Sequence, residues 1–355
     1  MRTTTILTEP ITWSETDRRM MARALELSLK GVGLVSPGPL VGCVIAGANG
    51  EIVGEGFYVF EEIKHAETIA LEEAGERARG GTAYVSLEPH AHRGRTPPCT
   101  DALLAAGIKR VVAPIEDLNP KVSGKGFAHL RDAGIIVQTG LLEDQAARIN
   151  EAYLHHMATG LPFVHLKLAV SLDGKIATRT RDSRWVTGPE ARARAHELRH
   201  QYDAILIGAG TAMTDDPSLT DRSGLPRRRP LVRVVLADTL SPDSQLAITA
   251  SEAPVILFGE SDLPAVLKEL GNRSIQSVLV EGGSTVAGEF VDAGLVNKVT
   301  FFIAPKLVGG TDAVSAVGGR GVEMMSDALE LENVTVTQRG KDIEVTGYPR
   351  SNKEG

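Results

Sequence analysis

Two short segments, one strand apart, constrain this chain more than anything else in it. His65-Ala66-Glu67 stands where a helical pattern, Ala66 to Ala78, begins. After a strand-like run, Thr82 to Leu87, comes Glu88-Pro89-His90-Ala91-His92-Arg93-Gly94-Arg95-Thr96-Pro97-Pro98-Cys99, and Cys99 opens a further helical pattern to Ala106. A metal-bound water that does chemistry needs protein ligands with one position left open, and a carboxylate that is not a ligand must sit beside it to move protons. H-x-E places a ligand and such a carboxylate two residues apart at one helix start. The downstream Cys99, at a helix N-terminus, is expected to be a stabilised thiolate ligand. The spacing predicts Zn²⁺ bound by His65 and Cys99, with Glu67 moving protons, although H-A-E alone is common at helix starts.

The elements around these segments predict an α/β layered fold. Ser14 and Asp17 form an S-x-x-D cap, followed by Met20, Met21, Ala24, Leu25 and Ser28 on one helical face. Pro37-Gly38-Pro39 stops any helix. Leu40 to Ala46 and Glu51 to Phe57, joined by Asn49-Gly50, predict a hairpin. Arg110 to Ala113 and Ile135 to Gln138 have the pattern of short buried strands, and Glu143 to Thr159 that of one helix. Gly160-Leu161-Pro162 is a plausible joint before a new strand, Phe163 to Val170, so domains are expected over 14–159 and 161–350. Apolar runs recur at Ala204 to Ile207, Leu231 to Ala237, Val255 to Phe258, Ser277 to Val280 and Lys298 to Ile303, which fits a second α/β domain. The tail, Ser351 to Gly355, is expected to fray.

Charge narrows the partners. Lys and Arg number 38 against 45 Asp and Glu, a formal net charge of −7, the wrong sign for a chain whose main partner is a phosphate backbone. Nucleic acid is not expected, and Arg227, Arg228 and Arg229 form the one local basic run set against that. No stretch approaches the roughly 20 apolar residues of a membrane helix, and Met1 to Trp13 has an Arg, several Thr and Glu9 in place of an apolar core. A cytoplasmic protein without membrane partners is expected. Two cysteines, Cys43 and Cys99, are too few for a disulfide framework, and Cys43 lies in an apolar strand where a core role is expected.

H-x-E followed by P-C is the pattern of zinc deaminases. Residues 15–160 resemble the deaminase half of the bifunctional riboflavin-biosynthesis deaminase/reductase family, whose usual form is E-P-C-S-H-x-G-R-T-P-P-C-T. Asn119-Pro120-Lys121-Val122-Ser123-Gly124-Lys125-Gly126, then Ala133-Gly134-Ile135, resembles its later motif. Two positions depart from the family. His90 replaces its first zinc cysteine, which leaves a ligand set of His65, His90 and Cys99 with one thiolate fewer. Gly38 stands where the family usually presents a substrate-binding Asn. His92 matches a family position and is expected beside the ligands.

The second half carries Ser171-Leu172-Asp173-Gly174-Lys175, Ser183-Arg184-Trp185-Val186-Thr187, Gly208-Ala209-Gly210-Thr211, Asp215 to Arg222, Val280-Glu281-Gly282-Gly283-Ser284-Thr285 and Ile303-Ala304-Pro305-Lys306-Leu307-Val308-Gly309-Gly310. A strand, two glycines and a helix starting at Ser or Thr can hold an anion on backbone N–H groups. In order, these segments resemble the reductase half of the same family, clearly to about residue 310. The resemblance implies a cytidine-deaminase-like three-layer α/β/α domain followed by a dihydrofolate-reductase-like α/β domain. It implies NADPH contacts at Ala169, Trp185, Thr211, Asp215, Gly283, Ser284, Thr285, Val286, Ala287 and Gly288. Substrate contacts are implied at Ser183, Arg199, Leu219, Arg222 and Glu281, with Arg199 and Arg222 suited to a phosphate by their bidentate geometry. For Asp173 and Lys175 a turn or an ion pair is as good an explanation. The implied substrate is a small pyrimidine ribose-phosphate, deaminated with Zn²⁺ and then reduced with NADPH by a homo-oligomer. The alternative is a reductase whose N-terminal domain is inactive as a deaminase and structural.

Overall fold

The computed structural model describes residues 12–94, 97–237, 248, 253–259 and 262–350. Arg95-Thr96, most of the Met1 to Trp13 start and the Ser351 to Gly355 tail lie outside the described residues. The chain forms two compact units that divide between Leu154 and His155, within a helix, a few residues before the Gly160 joint.

The first unit begins with α1 (Glu15–Leu29), closed by the capping box that its sequence predicts. Ser14 Oγ accepts from Asp17 N at 3.0 Å, and Asp17 Oδ2 accepts from Ser14 N at 3.1 Å. The hairpin follows as β1 (Gly42–Ala46) and β2 (Ile52–Phe57), with Gly50 at φ 81° in its turn. Then come α2 (Ala66–Ala74), β3 (Thr82–Val85), α3 (Cys99–Ala105), β4 (Arg110–Ala113), α4 (Lys125–Asp132), β5 (Ile136–Thr139), α5 (Glu143–Ile149) and α6 (Glu151–Thr159). The five strands lie in the order β2-β1-β3-β4-β5, antiparallel as far as β3 and parallel beyond it.

All of β1 is buried because helices cover both faces of the sheet. Cys43 and Ile45 pack with Ala66, Ala70 and Ala74 of α2, while Val44 and Ala46 pack with Met20, Met21 and Ala24 of α1. This period of two between helical layers is the expected α/β/α arrangement. Cys43 belongs to that core. Helix α2 lies directly on β2, since a Cβ on Gly56 would stand 2.3 Å from Ala66 O. That close approach seats the first turn of α2, which carries Glu67, on the sheet.

The one helix expected over 143–159 is two. Asn150 interrupts it, and its amide is spent on backbone far away: Oδ1 accepts from Leu40 N at 2.8 Å and Nδ2 donates to Leu40 O at 2.9 Å. Periodicity cannot show such a long-range demand.

The second unit contains β6 (Phe163–Ser171), β7 (Lys175–Ala177), α7 (Pro189–Gln201), β8 (Ala204–Gly208), α8 (Ala209–Asp215), β9 (Val232–Leu236) and β10 (Val255–Phe258). It continues with α9 (Leu263–Asn272), β11 (Ser277–Val280), α10 (Ser284–Asp292), β12 (Lys298–Ala304), β13 (Val314–Ser315), β14 (Leu331–Arg339) and β15 (Asp342–Pro349). Eight strands form one sheet, β10-β9-β8-β11-β6-β12-β15-β14, parallel from β10 to β12 and antiparallel at the β15-β14 edge. Val164, Leu166 and Leu168 of β6 pack with Leu267, Leu270 and Phe290, while Ile205 and Ile207 of β8 face Ala212, Leu219 and Leu231 on the other side. The carboxyl ends of β6, β8 and β11 therefore open together.

Candidate active sites

In the first unit, three elements aim ligand-capable side chains at one point. His65 is the N-cap residue of α2, His90 follows β3, and Cys99 is the first residue of α3. One ligand atom from each of the three lies within 4.8 Å of the others, and the His65 and His90 rings are 4.4 Å apart. The imidazole that replaces a cysteine thus stands in the ligand cluster. Burial, then the neighbouring His65 and His92, lowers the His90 pKa to about 4, so the ring is neutral and able to ligate.

Cys99 departs from expectation. Burial, followed by the negative charge and hydrogen bond of Glu67, pushes its thiol well above the usual range. Its position at a helix N-terminus does not by itself produce a thiolate, because desolvation and a nearby carboxylate outweigh the dipole. A cation among the three donors reverses that balance. Glu67 is 2% exposed, and among the described residues its Oε2 has no hydrogen-bond partner. A buried carboxylate oxygen left open beside two imidazoles and a thiol fits a divalent metal carrying an exchangeable water. This donor set fits Zn²⁺.

The Gly38 departure also has a physical reading. A Cβ there would meet Tyr58 Cε1 at 2.9 Å, and the Tyr58 ring lies 5.1 Å from that of His65. Tyr58 occupies space next to the ligands that a larger residue at 38 would need, a role sequence reasoning missed. His92 stands beside His90, ring centroids 5.1 Å apart, outside the three-residue cluster.

In the second unit a cleft of about 1060 Å³ opens at the strand ends. It is lined by Ala169, Trp185, Thr211, Asp215, Gly283, Ser284, Thr285 and Val286 of the expected cofactor residues, and by all five expected substrate residues, Ser183, Arg199, Leu219, Arg222 and Glu281. Ala287 and Gly288 do not line it. They lie further along α10, and a Cβ on Gly288 would stand 2.3 Å from Gly318 C, so that glycine serves the packing of a loop.

At the cleft floor, Arg199 Nε and Nη2 donate to Glu281 Oε1 and Oε2 at 2.7 and 2.9 Å, and Lys167 Nζ donates to Oε2 at 3.1 Å. Burial works against the Glu281 charge, but Arg199 and Lys167 hold it well below the usual carboxylate range. The bidentate fork expected to meet a phosphate is used on this carboxylate, while Arg222 remains exposed and donates to Ser218 Oγ (2.8 Å) and Thr220 Oγ1 (3.1 Å). Lys167 was not singled out from sequence, since only the fold brings it to Glu281.

Asp173 and Lys175 have structural partners. Asp173 accepts from Ser171 Oγ, Val308 N and Gly309 N, and Lys175 Nζ donates to Ala313 O. The basic run is likewise engaged: Arg227 donates to the carbonyls of Arg199, His200 and Tyr202 at the end of α7, and Arg229 to Ser274 O. No helix of the described residues is long and apolar enough to cross a membrane.

Comparison with known proteins matches both units. Residues 14–114 match the cytidine and deoxycytidylate deaminase zinc-binding region, and residues 162–345 match the RibD C-terminal domain. The riboflavin biosynthesis protein RibD of Bacillus amyloliquefaciens is 42% identical, covering 94% of this chain and 97% of that protein. Its Escherichia coli counterpart is 40% identical over 92% and 98%. A solved Acinetobacter baumannii RibD aligns with a TM-score of 0.87 at 35% identity over 95% of this chain and 99% of that one. The Thermotoga maritima diaminohydroxyphosphoribosylaminopyrimidine deaminase/5-amino-6-(5-phosphoribosylamino)uracil reductase aligns at 0.86 with 37% identity, over 94% and 99%. With both domains present and the His65, His90 and Cys99 donors assembled, this chain belongs to the RibD family of bifunctional deaminase/reductase enzymes of riboflavin biosynthesis.

Proposed function

We propose that the first unit hydrolytically deaminates 2,5-diamino-6-ribosylamino-4(3H)-pyrimidinone 5′-phosphate, and that the second reduces the ribosyl chain of the product to ribityl with NADPH. The observation that carries the deaminase half is the meeting of His65, His90 and Cys99 within 4.8 Å beside the open Glu67 oxygen. His65, His90 and Cys99 would hold Zn²⁺, which when bound would supply a Lewis acid that makes water reactive near neutral pH. Glu67 Oε2 would take a proton from the attacking water and return it to the departing amine, a task suited to a buried carboxylate that ligates nothing. Tyr58 limits the space beside His65.

In the second unit NADPH supplies the hydride. The chain positions both reactants: the Gly283 to Val286 turn and Thr211 line the cofactor side, and Arg222 with the Ser218 and Thr220 hydroxyls offers donors to the substrate's phosphate. Arg199 fixes the Glu281 carboxylate towards the substrate's polar groups. Nothing in this geometry favours a reductase with a retired first domain. Placement in the cytoplasm and assembly as a homo-oligomer belong to the same proposal, the second open to light scattering.

The test is NADPH oxidation started from either substrate. With the diaminopyrimidine phosphate, a chelator should abolish oxidation and Zn²⁺ restore it; with the uracil phosphate, the chelator should have no effect. Chelator-insensitive oxidation from the diaminopyrimidine would contradict the assignment of the first step to the zinc site.

A further inference from the structure

Glu88 is outside the ligand cluster, yet the residue is 5% exposed and its carboxylate accepts from four backbone N–H groups. Asp117 N (3.1 Å) and Gly124 N (2.9 Å) donate to Oε2, while Gly126 N (2.9 Å) and Phe127 N (3.2 Å) donate to Oε1. Among the described residues no cationic side chain pairs with it, so N–H dipoles, including those of the first turn of α4, balance its charge. Two of the donors, Asp117 and Gly124, lie in the segment that joins β4 to α4, and the other two, Gly126 and Phe127, in the first turn of α4; the same stretch carries Asn119, Lys121 and Lys125. Behind it, the Tyr153 hydroxyl of α6 donates to the Asp117 carboxylate at 3.0 and 3.1 Å.

Two residues beyond Glu88 is His90. The joint between the two segments is tight, since a Cβ on Gly126 would stand 1.8 Å from Pro89 O.

We propose that Glu88 is a positioning residue of the deaminase site, fixing the Asp117 to Phe127 segment against the segment that carries His90. The proposal rests on the deaminase reading of the first unit. A carboxylate suits this task because both oxygens accept, each taking two N–H groups. Neither the E-P dipeptide nor any side-chain pattern shows this, because every partner is backbone.

The experiment uses the full-length chain with Glu88→Gln, loaded with Zn²⁺ for kinetics and Co²⁺ for spectra. The amide keeps one acceptor and turns an NH₂ towards two backbone N–H groups, so half of the joint is lost at unchanged volume. At equal metal content, deaminase kcat per bound metal should fall by about tenfold or more. The Co²⁺ d–d band should shift, and reductase kcat and KM in the same preparation should hold. A lower melting temperature, with kcat per metal and the cobalt band unchanged, would overturn the proposal, because a merely structural role gives that result. If the Gln variant binds no metal, Glu88→Asp decides: it keeps charge and both acceptors on a stem one methylene shorter. Reduced kcat per metal with a shifted band supports positioning; wild-type values for both overturn it. Should the wild-type chain show no deamination, it is the deaminase reading that fails, and the cobalt band still tests the hold of Glu88 on His90.

Discussion

Gly38 and Tyr58 share one space beside the metal ligands: a Cβ at position 38 would stand 2.9 Å from Tyr58 Cε1, and 3.1 Å from Val35 O. Restoring the Asn usual in the family is therefore not a local reversion. Gly38→Asn should destabilise the first unit by about 1–3 kcal/mol through overpacking. Adding Tyr58→Ala should recover part of the loss. Thermal melts of both variants check this, and an unchanged melt for the single variant would contradict the shared space.

Glu67→Gln keeps the shape and removes the base. Deamination should fall by about 10²–10⁴-fold, the usual contribution of a positioned proton carrier. Metal content and NADPH-dependent reduction should stay at wild-type levels. Metal analysis beside the two rate assays separates loss of the proton carrier from loss of the metal.

The candidate metal site offers one sulfur donor, Cys99, because Cys43 is committed to the core between β1 and α2. With Co²⁺, the sulfur-to-metal charge-transfer intensity should match one thiolate, and His90→Cys should raise it about twofold. Two-thiolate intensity in the unmodified chain would place Cys43 in the shell and contradict the packing described above.

The reductase unit should weaken in acid through Glu281. Burial disfavours its charge, but Arg199 and Lys167 more than offset that and depress its folded-state pKa. A depressed carboxylate contributes stability that is fully present above its unfolded pKa of about 4.3 and is lost as pH falls below it. Glu281→Gln should remove that acid dependence. At neutral pH it should cost about 3–5 kcal/mol, since Lys167 and Arg199 then stay buried without their anion. Urea midpoints of reductase inactivation at neutral and acid pH measure both effects.

Much of this was legible in the sequence where the signal is local. H-A-E at a helix start, Ser14 with Asp17, and Asn49-Gly50 each need only their neighbours, and each stands where spacing put it. What escaped depends on distant partners. Asn150 breaks a helix to serve Leu40, Glu88 answers backbone groups about 30 to 40 positions away, and Glu281 meets Lys167 and Arg199 only once β6, α7 and β11 converge. Strands β14 and β15 also went unread, because β14 is an almost wholly exposed edge strand whose polar alternation gives no core signal.

The most direct test is a product mass assay on the diaminopyrimidine phosphate with zinc-loaded chain and no NADPH, so that only deamination can occur. Conversion of the amine to the carbonyl, lost with Glu67→Gln, is the predicted result. No conversion, with NADPH-dependent reduction of the supplied uracil phosphate intact, would contradict it and leave a reductase with a silent first domain.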